Sequence, residues 1–109
     1  MRDLAPYGSS LAVSANRAEL IREHPHTHVR TPDGIAYVPR TYAQPSSNGG
    51  WEAWLEFHPA GGRAPVLRTD RETTQATRDA IEVWAAGLET AYFEGAFARA
   101  RMAIAQRTR

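Results

Sequence analysis

The chain has 109 residues, a length that suits one domain with its own core, and 42% of them are hydrophobic against 23% charged. It contains no cysteine, which excludes disulfides, thiolate metal sites and a cysteine nucleophile. The formal net charge of +1 is too small to indicate a polyanionic partner, and no apolar run approaches the roughly 18 residues that cross a membrane.

The N-terminal segment carries few structural signals. Residues 1–13 mix proline, glycine and serine with scattered apolar residues, and we interpret them as an irregular arm. They lack the apolar stretch of a signal peptide, which favours a cytoplasmic location. Ser14 is a good N-cap, and a short helix is expected from there to Glu23, because Pro25 disfavours helix at His24.

The middle of the chain predicts a β-hairpin. A turn signal at 31–34 precedes a segment, 35–43, that is rich in β-branched and aromatic residues. Pro39 cannot donate to a ladder, so this segment is expected at a sheet edge or at a bulge. Asn48-Gly49 is a hairpin signal, and the alternation over 51–58 is the clearest strand pattern of the chain.

That alternation assigns side chains to two faces of the hairpin. One face, expected in the core, carries Trp51, Ala53, Leu55 and Phe57. The outer face is expected to carry Val38, Arg40, Tyr42, Glu52, Trp54, Glu56 and His58. Val66 and Leu67 predict a third strand, antiparallel to the second.

Two amphipathic patterns predict C-terminal helices. The first is expected from about Gln75 to Ala86, with Thr74 as its N-cap and Gly87 as its C-cap. The second follows Thr90. Their apolar faces are Thr77, Ala80, Ile81, Trp84 and Leu88 in the first, and Phe93, Ala96, Phe97, Ala100 and Ile104 in the second.

The fold class that these elements indicate is α+β, with a small antiparallel sheet of about three strands packed under two C-terminal helices. Residues 1–109 are expected to form a single domain whose core lies in 34–105.

Four sequence segments together resemble a family of small, uncharacterised bacterial proteins. They are Trp51-Glu52-Ala53-Trp54-Leu55-Glu56-Phe57, Leu67-Arg68-Thr69-Asp70-Arg71-Glu72-Thr73-Thr74-Gln75, Trp84-Ala85-Ala86-Gly87-Leu88-Glu89 and Tyr92-Phe93-Glu94-Gly95-Ala96. The resemblance covers about half of the chain and implies no activity. A hairpin followed by a capped helix is also similar in outline to HicB-type antitoxin domains, and this second likeness is topological only.

The outer hairpin face is the first candidate site. A tryptophan and a tyrosine exposed among charges are typical of a protein-contact surface, so Arg40, Tyr42 and Trp54 are the predicted contact residues. The favoured function is a small non-enzymatic binding or regulatory module that contacts a protein partner or forms a homodimer. The alternative, that another element such as the 14–23 helix covers this face, stays open.

Arginines form two further candidate sites. Arg68 and Arg71 lie near the expected start of the first helix, where free N–H groups favour a phosphate or a carboxylate. Asp70 and Glu72 among them favour instead a loop whose charges pair internally. The arginines at the C-terminal end support an alternative function, a nucleic-acid-binding regulator, and they are Arg99, Arg101, Arg107 and Arg109.

A histidine cluster is the last candidate. If residues 24–28 are extended, His24, His26 and His28 share one face, and two of them are able to bind one metal ion. This arrangement supports a third function, a metal-dependent enzyme. No motif in the chain indicates a positioned nucleophile or acid–base pair, so an enzyme is not the favoured class and no cofactor is expected.

Overall fold

A computed structural model of the chain describes residues 17–107. Within this range six antiparallel strands form one sheet, and two helices follow it. The elements are β1 (Glu19–Glu23), β2 (Val29–Arg30), β3 (Ala36–Pro45), β4 (Trp51–Pro59), β5 (Leu67–Arg68), β6 (Thr73–Gln75), α1 (Arg78–Ala86) and α2 (Thr90–Arg107). The α+β class and the two C-terminal helices are therefore confirmed.

The sheet has more strands than the sequence predicts, because three of its strands are too short to be recognised from a pattern. The order is β1-β3-β4-β5, while β2 also pairs with β3 and β6 also pairs with β4. The three expected strands correspond to β3, β4 and β5. The others have two to five residues each, too few for an alternation pattern to stand out in the sequence.

The β3–β4 hairpin forms as its sequence predicts. Its antiparallel register runs from Tyr37 opposite Pro59 to Pro45 opposite Trp51. In the connecting loop the Ser46 N–H donates to the Gly50 carbonyl over 2.8 Å, and Gly49 has a φ of +94°. A Cβ at Gly50 would lie 2.8 Å from the Gln75 carbonyl oxygen, so only glycine lets this loop approach β6 so closely.

The expected N-terminal helix is wrong over its described part. Glu19–Glu23 is strand β1, which pairs with β3 from Glu19 opposite Ala43 to Glu23 opposite Arg40. A short helix with few apolar residues gains little from tertiary packing, whereas the strand pairs with backbone groups of β3 that β4 does not reach. Ser14, its proposed cap, and the proposed arm at 1–13 lie outside the described residues.

Pro39 lies inside the central strand β3 and not on an edge strand, so the edge prediction is also wrong. Its carbonyl accepts a hydrogen bond from the His24 N–H over 3.1 Å. Because the N and O atoms of a strand residue point to the same side, its missing N–H faces the interval between β1 and β2. Proline is tolerated there because the neighbouring ladder is interrupted at that point.

The first helix begins three residues later than expected. Thr73–Gln75 forms β6 against β4, and Thr77, not Thr74, is the N-cap of α1. The Thr77 hydroxyl accepts a hydrogen bond from the Ala80 N–H over 3.1 Å. The helix ends at Gly87 as predicted.

Both helices pack on one face of the sheet. The larger core cluster is Val29, Tyr37, Leu55, Phe57, Leu67, Phe93, Ala96, Phe97 and Ala100. A second cluster joins Ala43, Ala53 and Ile81, with Trp51 and Trp84 partly buried against it. The predicted buried stripe of α2 is confirmed as far as Ala100, whereas Ile104 is 36% exposed.

We expect Thr77→Ala to lower the free energy of unfolding by about 1 kcal/mol, because the cap of α1 is lost. Thr77→Ser keeps the hydroxyl and is expected to retain most of that stability. Urea unfolding followed by circular dichroism measures both variants. Equal stabilities for the two variants would show that the hydroxyl does not cap the helix.

Candidate binding face of the sheet

The face of the sheet opposite the helices gathers most of the predicted contact residues. Alternate residues of β3 and β4 point to this face and pair across the ladder: Arg40 is opposite Glu56, and Tyr42 is opposite Trp54. Glu56 is also opposite Arg68 of β5. We call this surface the helix-free face and define it by Leu20, Arg40, Tyr42, Trp54, Glu56, His58 and Arg68. The strand assignment of the outer hairpin face is therefore correct.

Trp54 is buried, and the prediction that it is exposed is wrong. Its relative exposure is 0%. The Tyr42 ring stacks beside the indole with centroids 6.3 Å apart and planes at 14°, and the Arg68 guanidinium carbon lies 5.0 Å from the indole centroid. Alternation along a strand assigns a side chain to a face, but it does not show how far neighbouring side chains cover that residue.

The accessible part of this face lies on β1 and β3, to one side of the tryptophan. Leu20 is 43% exposed and lies opposite Tyr42 in the ladder. Tyr42 is half-buried, and the Arg40 side chain is 36% exposed with its Nε 3.9 Å from a Glu23 carboxylate oxygen. Two of the three predicted contact residues, Arg40 and Tyr42, are therefore available at the surface.

The Glu56 carboxylate organises the polar side of the indole. It accepts the Trp54 Nε1–H over 3.2 Å, and its other oxygen lies 3.1 Å from the His58 Nε2. The His58 ring in turn stacks beside Tyr42, with centroids 6.5 Å apart. These contacts hold the aromatic groups of the face in fixed positions, and the two-residue spacing along β4 is the only sign of them in the sequence.

One edge of the Arg68 guanidinium in this face has no hydrogen-bond partner among the described residues. Its Nε and Nη2 atoms are buried and have no hydrogen-bond partner within residues 17–107. Burial lowers the pKa of Arg68, and the nearby charges of Glu56 and Asp70 act in the opposite direction.

The structure does not bring Arg68 and Arg71 together as an anion site at a helix start. Because α1 begins at Arg78, the N–H groups expected near Thr73 and Thr74 belong to strand β6. Arg71 lies 3.5 Å from the Glu52 carboxylate, which also accepts from Gln44 over 2.7 Å. The alternative in which the charges of this loop pair internally therefore holds for Arg71, but not for Arg68.

The next acid along this segment, Glu72, joins the sheet to α2. Its side chain is 5% exposed and accepts from Arg99 over 3.0 and 3.1 Å. The Tyr92 hydroxyl donates to the same carboxylate, and burial, assisted by that bond, raises the pKa of Tyr92 to about 12. One of the arginines proposed for nucleic acid, Arg99, is thus engaged within the chain.

The remaining C-terminal arginines are described only in part. The Arg101 guanidinium carbon lies 5.9 Å from the Phe97 ring centroid. The side chain of Arg107 and the whole of Arg109 lie outside the described residues. Nucleic-acid binding by this end of the chain stays a prediction.

The three histidines do not share one extended face. Residues 25 and 26 form a turn, closed by a hydrogen bond of 3.1 Å from the Thr27 N–H to the His24 carbonyl. His24 points inward: its Nε2 lies 2.8 Å from the Thr41 hydroxyl and its ring centroid 4.7 Å from that of Phe93. His26 and His28 are exposed, and residues 17–107 contain no group of three or more histidine, aspartate or glutamate side chains placed to hold a metal ion.

Comparisons with known proteins found no family model, no curated protein and no solved structure that matches this chain. In the part of the chain that the structure describes, neither helix is both long and apolar enough to pass through a membrane.

We expect Trp54→Ala to lower the free energy of unfolding by about 3–5 kcal/mol, because a fully buried indole is lost. Trp54→Phe, which keeps an aromatic ring, is expected to lose clearly less. Urea unfolding measures both. A loss below about 1 kcal/mol for the alanine variant would mean that the indole is not a packed part of the folded chain.

A pH dependence is expected from His24. Burial, followed by the charge of Arg22, lowers the pKa of His24 to about 4 from its usual 6.5. The unfolded chain then binds more protons between these values, so stability is complete above pH 6.5 and falls by up to about 3 kcal/mol as the pH drops to 4. Unfolding of the wild type and His24→Gln at several pH values checks this, and equal slopes for the two proteins over this range would contradict it.

Proposed function

We propose that this chain is a small non-enzymatic binding module that contacts another protein chain, a partner or a second copy, through the helix-free face. The observation that supports it best is the accessible group of Leu20, Arg40 and Tyr42 beside the buried indole of Trp54. Tryptophan, tyrosine and arginine are the residues that most often dominate the energetics of protein interfaces.

The ordering of this face favours binding. Tyr42 is held between the rings of Trp54 and His58, so little side-chain freedom remains to be lost when a partner docks. Pre-ordered aromatic groups with partly exposed surfaces are suited to contact an apolar patch on another chain.

The charges of this face favour a protein over a nucleic acid. Glu56 contacts two of its aromatic groups and Glu23 lies beside Arg40, and both acids would repel a phosphate backbone. The Arg40 side chain already lies beside an acid, with its Nε 3.9 Å from a Glu23 carboxylate oxygen. A protein surface of mixed charge is compatible with this pattern, because acidic and basic groups can each find an opposite charge.

A photo-crosslinking amino acid at Leu20, in the full chain expressed in its source cells, tests the proposal. We expect a covalent product with another protein chain, because residue 20 belongs to the accessible group. The same amino acid at Val83, which is 75% exposed on α1, is the matched control and is expected to give no such product. Arg40→Ala or Tyr42→Ala is expected to reduce the product at position 20 by about tenfold, the loss of a typical interface anchor.

The identity of the product decides between the alternatives. A product of twice the chain mass indicates self-association, and a heavier or lighter product indicates a partner. A nucleic-acid product that disappears as salt rises would support the regulator of nucleic acid instead. Equal products from positions 20 and 83, or none from position 20, would contradict binding through this face.

A further inference from the structure

The buried edge of Arg68 is the least satisfied polar group of the helix-free face. Nε and Nη2 lie on the same edge of the guanidinium, the edge that a carboxylate occupies with two parallel hydrogen bonds. Both atoms are buried and neither has an acceptor among residues 17–107. Buried donors without acceptors are rare in folded proteins, because each costs the free energy of removing it from water.

Neither of the acids that act on Arg68 accepts a hydrogen bond from its Nε or Nη2. Glu56 lies directly opposite Arg68 in the β4–β5 ladder, but its two oxygens are taken by Trp54 and His58. Asp70 is exposed and acts on the guanidinium only through its charge. By contrast, the neighbouring arginines Arg71 and Arg99 each have a carboxylate within hydrogen-bond distance.

We propose that Arg68 receives an aspartate or glutamate side chain that a partner protein inserts against the helix-free face. This assignment rests on the proposed function, since it names the chemistry by which that face recognises its partner. A carboxylate suits the site better than a phosphate, because Glu56 and Asp70 already place negative charge nearby and would oppose a second charge on the ligand. Two hydrogen bonds to the free edge would satisfy both buried donors at once.

The shielding of this edge favours a protein segment over a small free anion. Nε and Nη2 have no contact with water, so binding has to displace the groups that lie against them. A peptide that carries apolar residues beside its acid can replace that cover by packing on the exposed part of Tyr42. A solvated anion such as acetate offers no apolar surface, and it would lose its hydration without that compensation.

The stability of Arg68→Met tests whether the arginine has an acceptor within its own chain. Methionine keeps the length of the apolar stem and removes the unpaired donors, so we expect an unchanged or higher melting temperature. A fall of more than about 5 °C would overturn the proposal, because it would show that the guanidinium is paired inside the folded protein. Arg99→Met is the matched control, and it is expected to lower the melting temperature because it leaves the buried Glu72 without its cation.

Selection of random twelve-residue peptides displayed on phage, with the full chain as target, tests the ligand chemistry. We expect the selected peptides to share an aspartate or glutamate next to apolar residues. Changing that acid to its amide should weaken binding about tenfold or more, and Arg68→Lys should do the same because lysine cannot make the paired bonds. The two changes together should weaken binding little more than either alone.

The outcomes separate this assignment from the proposed function. Peptides that need Tyr42 but bind Arg68→Met as well as wild type would overturn the carboxylate assignment and leave the contact face standing. Binding at Tyr42 by peptides without acidic residues would do the same. If Tyr42→Ala affects no selected peptide, both are overturned. A dimer that dissociates in Arg68→Met would assign the carboxylate to a second copy, and competition by millimolar acetate or phosphate would assign the site to a small anion.

Discussion

The long β3–β4 ladder is the constraint on which the rest of the fold depends. Its nine cross-strand pairs fix which residues face the helices and which do not. Toward the loop Ala43 lies opposite Ala53, and Ile81 of α1 packs against this pair, with Trp51 partly buried beside it. Toward the other end Leu55 and Phe57 contact the phenylalanines of α2. The side chains on one face of the hairpin therefore give each helix a separate packing site.

A second set of contacts fastens the chain between the hairpin and the helices. The Thr69 N–H donates to the Leu55 carbonyl over 2.9 Å, its hydroxyl accepts from the Leu55 N–H over 3.1 Å, and the Glu72 N–H donates to the Ala53 carbonyl over 2.7 Å. The Glu72 side chain then reaches α2 through Tyr92 and Arg99. The charged segment from Arg68 to Glu72, which the sequence suggests as an anion-binding loop, thus mainly connects the sheet to α2 by hydrogen bonds.

Long periodic segments could be predicted from the sequence, and short ones could not. The hairpin, its turn at Gly49 and the buried stripe of α2 follow from regular spacing over eight residues or more. The strands β1, β2 and β6 are stabilised by pairing with β3 and β4, and that pairing overrides the local preference on which the expected 14–23 helix and Thr74 cap were based.

The sequence predicts which residues of the candidate site share one face of the sheet, but it does not predict their burial or their contacts. Alternation places Arg40, Tyr42 and Trp54 on one side of the hairpin, but it does not predict that the indole is fully buried or that Arg68 lies over its ring. Residue spacing also does not show which neighbours the Glu56 carboxylate bonds to, or that the Nε and Nη2 of Arg68 lack a partner among residues 17–107. Glu56 lies opposite both Arg40 and Arg68, yet its oxygens meet Trp54 and His58.

The composition of the helix-free face is difficult to explain by stability alone. A surface meant only to be solvated would not need a fully buried tryptophan, and a surface meant only to be covered would be more stable with an apolar residue in place of Arg68. Tyr42, Trp54 and Arg68 lie on three neighbouring strands and contact one another through the indole. Because they share one ring, a ligand that engages the guanidinium also acts on the surface that Tyr42 presents, so substitutions at the two positions should not be additive. A bound carboxylate would give the Nε and Nη2 of Arg68 the acceptors that they lack among residues 17–107.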